Sequence, residues 1–318
     1  MQLIIDNLLN PALLFFIFGI IAVRLKSDLE IPETSSKFIA MYLLLSIGFN
    51  GGQELSHSDF SFDILTTMMF CVLISLLIPI YVFFVTKNKL GVDNAGAIAS
   101  SYGSVSAVTF VTAITFLEMF GVKFDGYMIA SLAIMESPAI IMGVMLNKFY
   151  SKKVSNITIG NLVKHSLTNG SVLLILASLV IGLLANDQQA LDIKPFTTDI
   201  FKGFLAIFLL DMGIKSGRKL KSFFKHGWFT TISAIVFSLI NGCSVALISG
   251  LFMDDIGNRF LLAVLASSAS YIAVPAAMKM AIPKANSGVY LPMALAISFP
   301  FNITLGFPIY YYLCSSII

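Results

Sequence analysis

Ten long apolar stretches follow one another along the chain, with short polar segments between them. A helix needs about 20 apolar residues to cross a bilayer. Because lipid cannot hydrogen-bond free backbone groups, each stretch is expected to be largely helical. The pattern therefore predicts an all-α polytopic membrane protein with ten transmembrane helices. The stretches are residues 8–25, 36–54, 62–86, 93–119, 125–149, 161–186, 198–217, 226–252, 256–282 and 288–316.

The composition agrees with this pattern. Of the 318 residues, 57% are hydrophobic and 12% are charged, and the mean hydropathy is +0.90. Soluble domains are about a quarter charged, so these values argue against a cytosolic enzyme and against a nucleic-acid-binding protein. The three cysteines lie inside apolar stretches and have neither a disulfide nor a metal-site spacing. The histidines His57, His165 and His226 show no ligand spacing either.

Basic residues are distributed unevenly between the two sides that ten spans define. Of the 20 Lys and Arg residues, 16 fall on one side, and Lys123, Lys194, Lys202 and Arg259 fall on the other. Cytoplasmic loops are enriched in Lys and Arg. The distribution predicts a multi-pass protein of the inner membrane with both termini outside.

The two halves of the chain resemble each other. Residues 44–55 match residues 209–220 at an offset of 165, and residues 99–101 match residues 266–268 at an offset of 167. Since five spans per half is an odd number, the second copy must be inserted in the opposite orientation. We therefore predict two inverted five-helix repeats, residues 1–155 and 156–318. Inverted repeats are typical of secondary transporters, which bind substrate between the repeats; the alternative is a duplicated structural protein.

The fourth and ninth helices are predicted to be interrupted. Gly103 and the serines around it weaken the fourth helix, and in the ninth helix Pro275 follows residues 267–270. Paired interruptions in two repeats indicate a transport site. A half-helix N-terminus suits an anion, and freed carbonyl and hydroxyl oxygens suit Na⁺. The alternative for each cluster is close packing of helices through small residues.

Depth can be estimated from the helical rise of about 1.5 Å per residue. On that measure, polar residues from four spans lie near the middle of a hydrocarbon core about 30 Å thick. They are Ser104, Ser106, Glu136, Ser268, Ser270 and Asn302.

Two acidic residues each have a functional and a structural interpretation. A carboxyl group at the depth of Glu136 is costly, so it is either a cation ligand or proton carrier, or a protonated core residue that steadies the kink at Pro138. Asp211 lies four residues before Lys215, and an i,i+4 ion pair explains it best.

Other motifs favour structural roles. The pairs Gly48 with Gly52 and Gly213 with Gly217 have the small-xxx-small spacing of close helix packing. The tyrosines at 310–312 fit an interfacial aromatic belt.

Taken together, several stretches resemble the sodium-dependent bicarbonate transporter family over almost the whole chain. They are residues 47–52, 102–109, 135–139, 269–278 with 282–286, and 299–302. The resemblance implies ten spans in two inverted repeats, a core and a gate domain, Na⁺-coupled bicarbonate uptake and a homotrimer.

The resemblance also implies that certain hydroxyl-bearing residues lie in or beside the substrate and Na⁺ sites: Ser104, Ser106, Thr109, Ser268, Ser270 and Tyr271. From it and from the helix interruptions, we predict substrate contacts at Gly103, Ser104, Ser106, Ser267, Ser268, Ser270 and Tyr271. The predicted Na⁺ ligands are Ser104, Thr109, Glu136, Ser268 and Asn302.

The leading hypothesis is Na⁺-coupled symport of a small anion, bicarbonate first, by alternating access. The expected partners are the anion, Na⁺, the lipid bilayer and further copies of the chain, without nucleic acid. A second hypothesis keeps the fold but carries another organic anion or small solute, because Ala107, Val108 and Ala273 adjoin the serines. A third is a non-transporting membrane sensor. An enzyme is not expected, since HExxH and GxSxG motifs are missing.

Overall fold

A computed structural model describes residues 7, 9–56, 62–151, 160, 170–223 and 227–316. This part of the chain is helical and contains no strand. The helices are α1 Pro11–Arg24, α2 Glu33–Ser56, α3 Phe62–Leu90, α4 Val92–Gly103, α5 Ala107–Met119, α6 Tyr127–Tyr150, α7 Gly170–Leu184, α8 Asp187–Lys194, α9 Phe201–Phe223, α10 Trp228–Ser249, α11 Ile256–Ser267, α12 Ala273–Ala281 and α13 Ser287–Ser316. A π-helical turn, Pro195–Asp199, precedes α9, and two more interrupt α13 at Met293–Ser298 and Asn302–Gly306.

The helices follow the apolar pattern of the sequence. Among the described residues, five segments are long and apolar enough to cross a membrane: α3, α4 with α5, α6, α10 and α13. The shorter helices α1, α7 and α11 are also apolar. These findings support a membrane protein. The start of the sixth predicted stretch, the boundary between the predicted halves and the three histidines lie outside the described residues.

Helix starts follow from local capping chemistry. Asn10 is the N-cap of α1, and its side chain accepts a hydrogen bond from the Ala12 amide. Pro11 occupies the first helical position. Asn186 and Gln189 form a reciprocal capping box at α8. Asp255 accepts from the amide of Asn258 and starts α11.

The glycine pairs allow two close helix crossings. A Cβ atom on Gly52 would clash with the carbonyl oxygen of Leu179 in α7, and one on Gly213 would clash with that of Phe16 in α1. The interpretation as small-residue packing is therefore confirmed. The crossing of α2 with α7 thus has the same chemistry as that of α9 with α1.

The helices pack in two groups. The paired-helix group consists of α1, α2, α7 and α9, in which α2 packs mainly on α7 and α9 packs mainly on α1. The broken-helix group consists of α3 to α6 and α10 to α13, in which α3 packs on α4 and α10 packs on α11. The two groups meet where α2 contacts α5 and α6, where α6 contacts α7 and where α9 contacts α13.

Two asparagines connect the halves of the chain. The Asn94 Oδ1 atom accepts a hydrogen bond of 2.8 Å from the amide of Asn286, the N-cap of α13. The Asn258 Oδ1 atom accepts one of the same length from the amide of Asp125, just before α6. A side chain in α4 therefore hydrogen-bonds the start of α13, and a side chain in α11 hydrogen-bonds the backbone just before α6, so each contact joins the two halves of the chain.

Candidate functional site

Two helices break at the places that the sequence indicates. The predicted fourth span is divided into α4, which ends at Gly103, and α5, which begins at Ala107. The predicted ninth span is divided into α11, which ends at Ser267, and α12, which begins at Ala273. The residues that follow the first half-helices, Ser104 and Ser268, have almost the same extended backbone, with φ/ψ of −80°/172° and −78°/162°. The predicted interruptions are confirmed.

The two breaks are hydrogen-bonded to each other. The Ser101 hydroxyl donates to the Ser270 carbonyl oxygen at 2.6 Å, and the Ser270 amide donates to the Ser101 carbonyl oxygen at 2.8 Å. The Ser106 amide donates to the Ser268 hydroxyl oxygen at 3.0 Å. A broken helix leaves backbone groups without partners, and these bonds satisfy several of them in a buried setting.

Ser106 also starts the second half-helix of the fourth segment. Its hydroxyl oxygen accepts a hydrogen bond of 3.2 Å from the amide of Thr109, so Ser106 is the N-cap of α5. The α12 helix begins after Ile272, which has no side-chain capping bond. Both helix N-termini carry a partial positive charge, which stabilises an anion.

A cavity of about 340 Å³, called here the site cavity, lies against both half-helix starts. Four of the predicted site residues line it: Ser106, Glu136, Ser270 and Tyr271. Most of the remaining wall is apolar and comes from α2, α5, α9 and the residues beside the breaks. It includes Leu43, Leu44, Val105, Val108, Val111, Phe208 and Ile272.

Glu136 is the carboxylate in the wall of this cavity. It is 7% exposed, and it forms no hydrogen bond or ion pair with another described residue. An isolated carboxylate in a region of low dielectric is strongly destabilised unless a cation or a proton neutralises it. The arrangement therefore suits either a cation beside Glu136 or a protonated carboxyl group.

Two buried hydroxyl groups lie near the breaks. The Ser104 hydroxyl is fully buried without a hydrogen bond among the described residues, and the Tyr271 hydroxyl lies near that of Ser106. Buried polar atoms are seldom left unpaired in native proteins. The Ser104 oxygen atom is available to coordinate an ion or to bind a water molecule.

Six predicted site residues do not line the site cavity: Gly103, Ser104, Thr109, Ser267, Ser268 and Asn302. Gly103 lies against the rings and methyl groups of α3 and α6, where a Cβ atom would clash with Pro79 and approach Ala139 to 3.1 Å. The Ser267 hydroxyl donates within its own helix to the Val264 carbonyl oxygen at 3.0 Å. These residues shape the breaks.

Asn302 supports the end of α11. Its Nδ2 atom donates to the Ser267 carbonyl oxygen at 3.0 Å, and its Oδ1 atom lies 3.0 Å from the Tyr310 hydroxyl, which also lies 3.0 Å from the Ser238 carbonyl oxygen. Tyr310 is fully buried. Its placement in an interfacial belt was therefore wrong, because this face of α13 packs on α10 and α11.

Asp211, the other acidic residue, forms the ion pair that its spacing from Lys215 predicted. Asp211 is 2% exposed and pairs with Lys215 at 2.6 Å, so the predicted ion pair is confirmed. The Ser36 hydroxyl donates to the same carboxylate at 2.5 Å. This cluster ties α2 to α9.

Sequence reasoning missed three residues that connect the breaks or line the site cavity. Ser101 connects the breaks, and its match to Ser268 at the repeat offset was the available signal. Lys37 and Ser171 line the site cavity. Lys37 is one of the 16 basic residues that the sequence indicates only as an orientation signal, and nothing in the local pattern marks Ser171.

Comparison with known proteins agrees with this arrangement. The family model of the Na⁺-dependent bicarbonate transporter superfamily matches residues 11–315, nearly the whole chain. A search of curated proteins finds no significant match. The chain therefore belongs to the Na⁺-dependent bicarbonate transporter superfamily, and it is a transport protein and not an enzyme.

Proposed function

We propose that the protein is a Na⁺-coupled symporter that moves a small anion, bicarbonate first, by alternating access. The observation that carries this proposal is the site cavity, where two half-helix N-termini and the isolated carboxylate of Glu136 line the same space. The N-termini attract an anion, and the carboxylate attracts a cation. An anion beside the charged form of Glu136 would be repelled unless a cation lay with it, and we infer that occupancy by the two ions is coupled.

The residues divide between the two ions by their chemistry. We assign the anion to the start of α5 and α12, with Ser106, Ser270 and Tyr271 as hydrogen-bonding groups. We assign Na⁺ to the neighbourhood of Glu136, while Ser104, which lies outside the site cavity, stays a sequence-based prediction as a ligand. Gly103, Thr109, Ser267, Ser268 and Asn302 support the breaks in this proposal. With one Na⁺ per bicarbonate the cycle moves no net charge, and each additional Na⁺ adds about 2.3 kcal/mol per 100 mV.

The proposal includes ten spans in two inverted repeats, residues 1–155 and 156–318. Support comes from related contacts at related positions: the glycine crossings at Gly52 and Gly213, and the backbone of Ser104 and Ser268. Inner-membrane location with both termini outside, and a homotrimer by resemblance, belong to the same proposal. Reporter fusions at each terminus and cross-linking of the purified protein test these two points.

Transport in proteoliposomes tests the function. Labelled bicarbonate is expected to accumulate when a Na⁺ gradient points inward, and to remain near background when K⁺ replaces Na⁺. Ser106→Ala/Ser268→Ala is expected to lower uptake at least about tenfold, equivalent to 1.4 kcal/mol. Uptake that is independent of Na⁺ would contradict the coupling.

The matched control is Ser75→Ala/Ser249→Ala. Both serines are fully buried, and both hydroxyls donate to carbonyl oxygens of their own helices, away from the site cavity. This variant is expected to keep its uptake. If it fails as badly as Ser106→Ala/Ser268→Ala, the loss reflects folding and the assignment of the site is wrong.

A small organic anion is a second candidate substrate. The largely apolar wall of the site cavity and its volume of about 340 Å³ leave room for a carbon skeleton. Competition of bicarbonate uptake by a panel of short carboxylic acids separates the candidates. A non-transporting sensor would instead bind an anion without accumulating it.

A further inference from the structure

A second cavity lies beside the site cavity. Its volume is about 880 Å³, and its wall comes from α2, α5, α6, α8 and the start of α9. Four carboxylates and two lysines line it: Glu54, Glu118, Asp187, Asp199, Lys194 and Lys202. Among the described residues the two cavities share no lining residue.

The two cavities lie one after the other along the same helices. On α2 the site cavity is lined between residues 37 and 44 and the second cavity between 47 and 54. On α5 the corresponding residues are 107–111 and then 114–118.

The order reverses on α6 and α9, where Glu136 and Phe208 line the site cavity and the earlier residues Ile129 and Lys202 line the second cavity. Each of the four helices therefore passes from one cavity to the other.

The boundary between the cavities is apolar and thin. Leu44 and Val111 line the near end of the site cavity, and Ile47 and Ile114 line the near end of the second cavity. All four side chains are between 2% and 7% exposed. In each pair the residues are three positions apart, which places them on one helix face about 4.5 Å apart along the axis. A layer about one helical turn thick therefore separates the cavities.

We propose that Leu44, Ile47, Val111 and Ile114 form a closed hydrophobic gate between the second cavity and the site cavity. The gate opens when α5 moves relative to α2, because these two helices belong to different helix groups and make few contacts with each other. The α2–α7 crossing, in contrast, is fixed by backbone contact at Gly52. Hydrophobic constrictions exclude ions by excluding water. On the proposed topology the second cavity faces outside. The closed gate therefore separates the site cavity from the outside in this structure.

Sidedness of chemical labelling tests the closed gate without requiring transport. In a background where alanine replaces Cys71, Cys243 and Cys314, Val111→Cys and Ile114→Cys are each exposed to a membrane-impermeant thiol reagent in vesicles of known orientation. Ile114→Cys is expected to react from the side of the second cavity, and Val111→Cys is expected not to react from that side. Reaction of both from that side, or of neither, would overturn the gate.

Cross-linking tests the opening and rests on the proposed transport function. Ile47→Cys/Ile114→Cys, joined by a flexible reducible cross-linker, is expected to lose at least tenfold in uptake and to recover on reduction. The control pair is Phe84→Cys/Tyr150→Cys, whose rings lie 5.5 Å apart on the exposed surface within the broken-helix group. It is expected to transport when cross-linked.

Full uptake by cross-linked Ile47→Cys/Ile114→Cys would overturn the gate. If the unmodified protein transports nothing, the proposed function fails, and the labelling result still decides whether the barrier exists.

Discussion

Asn94 and Asn258 occupy the same position in the two broken segments and make the same contact. Each is the third residue of its helix, and each accepts a 2.8 Å hydrogen bond from a backbone amide before a helix of the other half. Asn258 also donates to the Asp125 carboxylate at 2.6 Å and to the Tyr127 hydroxyl at 3.2 Å. In an inverted repeat these equivalent contacts would lie at opposite faces of the membrane.

Alanine substitution of these asparagines is expected to destabilise the fold. Asn94→Ala removes the exposed hydrogen bond to the Asn286 amide and one to the Leu90 carbonyl oxygen, at about 0.5–1.5 kcal/mol per hydrogen bond. Asn258→Ala is expected to cost more because it removes three contacts of a buried side chain. If the two sites lie at opposite faces, the double variant should lose the sum. Thermal unfolding of the detergent-purified protein measures this, with the exposed Gln188→Ala as control. A double variant no worse than Asn258→Ala alone would contradict the separation of the sites.

The helix crossing at Gly213 provides a second test within a single helix. A Cβ atom at Gly213 would clash with the backbone of α1, whereas one at Gly203, also in α9, would meet nothing within 4 Å. Gly213→Ala is expected to lower the melting temperature by several degrees. Gly203→Ala is expected to be neutral or to stabilise by up to about 1 kcal/mol, since alanine favours the helix. Equal melting temperatures for the two variants would show that the α1–α9 crossing can relax.

Features set by local pattern could be predicted from the sequence. The helix breaks depend on serine, glycine and proline in a short window, and the glycine crossings depend on a four-residue spacing. The wall of the site cavity depends instead on the direction of each side chain. Ser104 and Ser106 lie at similar depth, yet only Ser106 lines the site cavity. Asn302 has a suitable depth but turns to Ser267, within the second π-helical turn of α13. A regular helical rise cannot predict that rotation.

Ser101 is expected to position the breaks without contacting the substrate. Ser101→Ala removes the donor to the Ser270 carbonyl oxygen and leaves that buried acceptor unsatisfied, at a cost of about 1–3 kcal/mol. Anion affinity should fall as well, because Ser270 lines the site cavity, and Ser101→Thr should restore part of both. Ser75→Ala, which loses only a bond within its own helix, is the control. Normal anion affinity in a destabilised Ser101→Ala would show that Ser101 has a structural role alone.

Glu136→Gln separates the two proposed ion sites. Glutamine keeps the size of the side chain but removes the charge that the cation neutralises. The Na⁺ concentration for half-maximal uptake should rise at least about tenfold, or 1.4 kcal/mol. Anion binding at low Na⁺, measured by calorimetry, should persist or strengthen because the repulsion from the carboxylate is gone. Glu30→Gln is the control, since Glu30 is exposed and pairs with Arg218 at 3.2 Å. A purely structural Glu136 would lose anion and Na⁺ binding together, and an unchanged Na⁺ dependence would move the cation elsewhere.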